Sequence, residues 1–263
     1  MIIAILAVVG LCLGSFVNAL VWRVHEHLSI AKGRSMCPHC KHTLAAKDLV
    51  PVLSWLALRG KCRYCDKPIS AQYPLVELST TALFVASYIW WPATFDSSPQ
   101  TAIFILWLAL LTGLVALAVY DLRWFLLPNR LVYPLAVVAA AQAIISILNA
   151  GHPATALLNT ILGVVVGGGI FYVLFQGSKG KWIGGGDVKL GALLGLIVAA
   201  PGRAVLFIFF GSLLGSLASL PLLARGRLKR TSVIPFGPFL IAGAIITVLF
   251  GADILHWYQQ VLL

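Results

Sequence analysis

The stretch TAIFILWLALLTGLVALAVYDLRWFLLPNRL, residues 101–131, decides the fold. Residues 101–120 carry no charge, and about 20 apolar residues are what a helix needs to cross the hydrocarbon of a bilayer. The run stops at Asp121, and Arg123 and Arg130 follow within one short segment. An apolar run that breaks on a charged cluster reads as a membrane-spanning helix ending at the lipid headgroups. Working outward, further apolar runs lie near 2–22, 75–91, 131–149, 155–175, 188–201, 203–224 and 233–251. The chain is 60% hydrophobic and 10% charged, whereas a soluble domain is about 25% charged. These features exclude a soluble globular fold. They predict an all-α polytopic membrane protein of about eight transmembrane helices. The opening residues 1–22 lack a basic n-region and a small-residue cleavage site, so they are expected to stay as the first span. The run at 188–201 is short for a span and is expected to thin the bilayer locally or to be a broken helix.

The basic residues set the orientation. Nine Lys and Arg lie between the first and second spans: Arg23, Lys32, Arg34, Lys41, Lys47, Arg59, Lys61, Arg63 and Lys67. Arg123 and Arg130 follow the third span, and Lys179, Lys181 and Lys189 surround the start of the sixth. Arg225, Arg227, Lys229 and Arg230 follow the seventh, and Arg203 stands alone on the opposite side. Eighteen of the nineteen basic residues therefore share one side of an eight-span arrangement. The positive-inside rule makes that side cytoplasmic and turns both termini outward. The net charge of +11 then reflects topology and contact with a bilayer bearing anionic headgroups. Nucleic acid is not an expected partner.

The soluble piece, residues 23–74, carries MCPHC at 36–40 and KCRYC at 61–65. Two C-x-x-C pairs with 21 residues between them have the spacing of a four-cysteine zinc site made of Cys37, Cys40, Cys62 and Cys65. Two disulfides are the alternative, but the cytoplasmic side keeps thiols reduced. A segment with few large apolar side chains gains from a structural metal. Four filled ligand positions argue against catalysis at that metal. His39 and His42, beside the first knuckle, are alternative ligands, and Cys12 within the first span is a packing residue. The expected organisation is a first helix over 1–22, a cytoplasmic tetracysteine domain over 23–74, and a membrane core over 75–263.

Eight acids remain to be placed: Glu26, Asp48, Asp66, Glu77, Asp96, Asp121, Asp187 and Asp253. Glu26, Asp48 and Asp66 belong to the soluble piece, and Asp96 and Asp253 to the outer side. Glu77 opens the second span, where a local base or a helix cap would occupy it. Asp121 ends the third span and Asp187 begins the sixth, at matching depth on the cytoplasmic boundary. Ionisable residues there point to function. Two carboxylates facing one another share a proton and titrate as a unit. One then serves as base toward a water while the other donates to a carbonyl oxygen, as in aspartic proteases. Gly184, Gly185 and Gly186 precede Asp187 and leave room for an extended peptide beside it. Non-helical backbone is tolerated at membrane depth where it lines a wet cavity. Lys189 points away from Asp187 on a helix and is expected to reach lipid phosphate.

The chain resembles the bacterial prepilin peptidases, the type IV leader peptidases of the GxGD aspartic class. The resemblance is carried by GSFVNALVWR (14–23), the two cysteine knuckles, ISAQYPLVEL (69–78), YDLRWFLLPNRL (120–131), GGGDVKLGALLG (184–195) and IPFGPFLIAG (234–243). It implies a bacterial inner-membrane enzyme that cuts a basic leader from type IV prepilins or pseudopilins after a glycine, at the cytoplasmic face. It implies Asp121 and Asp187 as the catalytic pair, and N-methylation of the new terminus with S-adenosylmethionine as methyl donor. Many members carry Asp after the proline where this chain has Asn129, which bears on fine positioning. No glycine-rich nucleotide loop marks the methyl-donor site, which is expected within 14–80. Presenilins and signal-peptide peptidases share GxGD and the Tyr-Asp pair, so an intramembrane protease of that type is the nearest alternative. A proton-coupled transporter built on a carboxylate pair and a zinc-anchored scaffold without chemistry are the others.

Overall fold

The computed structural model describes residues 1–30, 32–226 and 234–262. Arg227, Lys229 and Arg230, and Val233 at the head of the last expected span, lie outside the described residues. The architecture is all-helical. Its elements are α1 (Ile2–His25), α2 (Leu53–Ala57), α3 (Gln72–Ile89), α4 (Ser98–Trp124), α5 (Asn129–Leu148), α6 (Pro153–Ser178), α7 (Gly185–Val198), α8 (Pro201–Ala224) and α9 (Gly237–Leu262), with one 3-10 turn at Ala46–Asp48. Among the described residues, six helices are long and apolar enough to cross a membrane: α1, α4, α5, α6, α8 and α9. The chain is thus a multi-pass membrane protein. The helices α3 and α7, expected as the second and sixth spans, fall outside that group. Helix α7 has 14 residues, about 21 Å at 1.5 Å per residue, less than the ~30 Å of a bilayer core.

Two compact units are formed: Met1–Ile89 with Leu111–Ala116, and Trp90–Leu110 with Leu117–Leu263. In the first, α1 packs along α3. Glycines allow it. A Cβ on Gly14 would lie 2.6 Å from Glu77 Cα, and one on Gly10 would lie 2.7 Å from Thr81 Cα. Asn18 is buried beside this crossing and donates to the Tyr73 carbonyl at 3.1 Å.

In the second unit, α6 pairs with α7, and α8 with α9. Gly163 and Gly167 of α6 face Gly195 and Gly191 of α7, each pair four residues apart, so one face of each helix lacks side chains. A Cβ on Gly167 would stand 2.5 Å from the Gly191 carbonyl oxygen, and one on Gly163 would stand 2.8 Å from that of Gly195. In lipid, where apolar burial drives little, such close backbone approach is a main source of helix association. Gly211 and Gly243 allow the corresponding approach between α8 and α9.

The helix ends that matter for the site have local causes. Helix α4 stops at Phe125, which takes the left-handed conformation (φ 56°) and donates its N–H to the Asp121 carbonyl at 2.8 Å. Pro128 follows, and α5 starts at the next residue. Proline holds the residue before it out of the helical region, which makes the break sharp. Helix α6 ends through Lys179 (φ 52°) and Gly180 (φ 74°), with the Gly180 N–H on the Phe175 carbonyl at 2.9 Å. This left-handed closure releases residues 181–184, which lead into α7.

Candidate active site and metal centre

Asp121 lies in the last turn of α4 and is 6% exposed. The backbone N–H of Gly237, first residue of α9, donates to its Oδ2 at 3.0 Å. Asp187 is the third residue of α7 and half-buried. It turns back on its own helix start, where the Gly184 N–H donates to Oδ2 at 3.3 Å. The helix ends that carry the two carboxylates approach each other through Gly237 and Leu190. Each carboxylate is therefore held through Oδ2 by a backbone donor, and among the described residues no hydrogen bond engages Oδ1 of either. Oδ1 of each carboxylate is thus left unengaged.

The convergence comes from which face of α7 each residue occupies. Residues three apart on a helix share a face. Asp187 and Leu190 share one, and Leu190 is fully buried with its Cδ2 3.5 Å from where a Gly237 Cβ would be. Gly237 is in turn the residue that binds Asp121. Sequence reading missed Gly237, although it lies within the quoted IPFGPFLIAG segment. A Cβ there would sit 2.7 Å from Asp121 Oδ2, so side chain or backbone must yield. Gly237→Ala is expected to lower cleavage about 100-fold, the cost of displacing a reacting group by about 1 Å, while the protein still accumulates in the membrane. Leader cleavage by the purified variant checks this, and near-normal turnover would contradict it.

The three glycines are not equivalent. Gly184 is extended (φ −78°) and caps α7, while Gly185 and Gly186 form its first turn. None has a positive φ, so the helix begins earlier than the expected 188, and backbone conformation does not require glycine. Gly186 has a packing reason: a Cβ would meet Leu127 at 3.3 Å. Gly184 and Gly185 do not, because a Cβ on either would meet nothing nearer than 3.8 Å. Their smallness leaves open space beside Asp187.

Lys189 departs from expectation. Its Nζ donates to Asn129 Oδ1 at 2.9 Å, across to the start of α5, instead of turning to lipid. Glu77 departs too. It lies inside α3, is 5% exposed, and accepts the Val52 N–H at 2.7 Å. Val52 holds a φ of 61°, uncommon for a β-branched residue. The carboxylate therefore docks the soluble segment on α3, and among the described residues it neither caps the helix nor pairs with a base.

Cys37, Cys40, Cys62 and Cys65 come together, their sulfurs all within 4.8 Å of one another. Cys37 Sγ and Cys65 Sγ are 3.9 Å apart. A tetrahedron of thiolates about 2.3 Å from zinc has sulfurs about 3.8 Å apart, so the donor set fits that ion. The knuckles repeat one geometry. Lys41 N–H donates to the Cys37 carbonyl at 2.9 Å and Asp66 N–H to the Cys62 carbonyl at 3.0 Å. Lys41 and Asp66 both take left-handed φ values, 58° and 55°. His39 and His42 are not in the group; His42 stacks on Tyr64 at 3.7 Å between centroids. Asp48 ties the knuckles to the 3-10 turn, accepting from Arg63 Nε at 2.7 Å, Tyr64 Oη at 3.0 Å and Ala45 N–H at 3.2 Å. Burial pushes its carboxyl up, but these donors outweigh that and hold it below the usual carboxylate range.

Known proteins resemble this chain along most of its length. Residues 8–91 match the Bacterial Peptidase A24 N-terminal domain, and residues 108–220 match the Type IV leader peptidase family. The chain is 34% identical over 262 residues to the prepilin leader peptidase/N-methyltransferase of Bacillus subtilis (strain 168), covering 99% of each protein. It is 38% identical over 224 residues to that of Myxococcus xanthus (strain DK1622), covering 84% of this chain and 64% of the relative. With the Escherichia coli type 4 prepilin-like proteins leader peptide-processing enzyme it shares 34% identity over 271 residues, 91% of this chain and 90% of the relative. No solved structure matches the chain. A buried aspartate at the end of one helix, a second at the glycine-rich start of another, and end-to-end likeness to these relatives lead to one assignment: the chain belongs to the type IV leader peptidase family.

Proposed function

We propose that this protein is a prepilin leader peptidase and N-methyltransferase. It cuts the basic leader from type IV prepilins or pseudopilins after a glycine, at the cytoplasmic face of the bacterial inner membrane. It then methylates the new N-terminus. The observation that carries the reading is the approach of the helix ends bearing Asp121 and Asp187, each carboxylate held by one backbone donor and leaving one oxygen unengaged.

In this reading one carboxylate takes a proton from a water, whose oxygen bonds to the scissile carbonyl carbon. The other, protonated, donates to the carbonyl oxygen. Collapse of the adduct breaks the C–N bond, and the proton passes to the leaving amine. Gly184 and Gly185 admit the extended backbone, and Gly186 keeps the α7 turn against Leu127. Cys37, Cys40, Cys62 and Cys65 would hold a structural zinc, and no step of the hydrolysis runs through it. S-adenosylmethionine supplies the methyl group when bound. The 14–80 region suits a sulfonium cation, since Glu77 is a buried carboxylate with no cationic partner among the described residues; no single residue is assigned to the donor.

The organisation that accompanies this function has a first helix at 1–22, a tetracysteine domain at 23–74 and a peptidase core at 75–263. In it α3 and α7 complete eight spans, and both termini are periplasmic. Anionic headgroups hold the basic leader, because the protein's own inner loops are basic and repel it; each Lys or Arg near such a surface gains about 1 kcal/mol.

The test is a peptidase assay in bilayers, with a prepilin and a generic single-span protein as substrates, with and without methyl donor. Cleavage of the prepilin alone, followed by donor-dependent methylation, is expected. Equal cleavage of both would favour the presenilin-type reading, and no cleavage of either would favour a transporter or scaffold.

A further inference from the structure

We infer that Asn129 and Lys189 form a clamp that positions Asp187 against Asp121; the inference rests on the dyad reading above. The two aspartates stand on different helices, so their approach depends on how α7 is set against the α4–α5 connection. That connection leaves Asp121 within one turn of the end of α4, then runs through Phe125 and Pro128 to Asn129 at the start of α5. Two contacts join it to α7. Leu127 lies against Gly186, where a Cβ would come within 3.3 Å. Asn129 Oδ1 accepts from Lys189 Nζ at 2.9 Å.

Gly186 and Lys189 are three residues apart and share one face of α7. Asp187 lies between them in sequence and is turned toward the adjacent face, with Leu190. The clamp face therefore fixes the rotation of α7 about its axis, and rotation decides where Asp187 points. Helix α7 needs such a restraint, because with 14 residues it is the shortest of the helices packed in its unit. Its glycine contacts to α6 set the separation, with Phe171 seated against Gly191, and they lie along the helix rather than at the turn that carries Asp187.

Lys189→Met and Asn129→Leu remove the link while keeping side-chain bulk. Each is expected to lower kcat for leader cleavage about tenfold, the worth of one hydrogen bond to a charged group, with KM for the prepilin unchanged. The double variant should be no worse than either single one, since both break the same contact. Asn129→Asp, which keeps an acceptor at the same atom, should recover most of the kcat lost in Asn129→Leu. Methylation of an already cut pilin should be untouched by all of them. Losses that multiply in the double variant, a matching fall in methylation, or full cleavage by Lys189→Met would each overturn the clamp. Asp121→Asn and Asp187→Asn are assayed alongside. Activity in either overturns the dyad, whereas inactive aspartate variants beside a fully active Lys189→Met overturn the clamp alone.

Discussion

Asp121→Asn and Asp187→Asn are each expected to lower kcat for leader cleavage by about three orders of magnitude, within the range for removing a positioned general acid or base. Asparagine keeps the volume and leaves Oδ able to accept from Gly237 or Gly184. The helices should therefore pack as before and the protein accumulate normally. On the proposed mechanism the proton-sharing pair is lost: an amide neither takes a proton from water nor passes one to the leaving amine. Because either half is needed, the double variant should be no less active than the single ones. Methylation of a pre-cut pilin should persist, which separates loss of chemistry from loss of fold. Single-turnover cleavage by purified protein in bilayers is the measurement, and a variant retaining more than about a tenth of the wild-type rate would remove that residue from the mechanism.

The second large effect concerns the metal. About one zinc per chain should co-purify under reducing conditions, and Cys37→Ser with Cys40→Ser should abolish it. The reason lies in what the domain lacks. Among the described residues between Val24 and Val76, the buried hydrophobic side chains are Cys37 and Cys62. There is no apolar core to fold around once the thiolates are unpaired. Structural zinc contributes about 10–16 kcal/mol in small domains of this kind, far beyond what the Asp48 ion pair returns. Residues 23–74 of the variant should become sensitive to protease while the membrane helices stay resistant. Metal analysis finding no zinc in freshly purified wild-type protein, or zinc retained in the variant, would refute the assignment.

Much of the fold was legible because a bilayer imposes a strong local rule. Every backbone group must be satisfied within its own segment, so uncharged runs of spanning length become helices whatever their neighbours do. The helices at 98–124, 129–148 and 153–178 follow from that rule. It works less well for α3 and α7, where Glu77 and the short run after Gly184 weaken the apolar signal. The glycine pairs of α6 and α7 were also readable in principle, since their four-residue spacing is a known packing signal. The cysteine spacing was legible for a similar reason, because each knuckle closes within a few residues.

By itself, then, the sequence determined the elements whose cause is local: the apolar helices, the paired cysteine turns, and two aspartates at the ends of apolar runs. Only the tertiary structure decided which atoms meet. It put the Gly237 N–H on Asp121, 116 residues away in the chain. It gave Lys189 to Asn129 rather than to lipid, and it set Glu77 under Val52. It also divided the glycine run, with Gly186 needed for packing and Gly184 and Gly185 left open. These pairings depend on the rotation and crossing of helices distant in the chain. Rotation about a helix axis is set by the sum of many weak contacts along its length, and no single residue pattern records that sum.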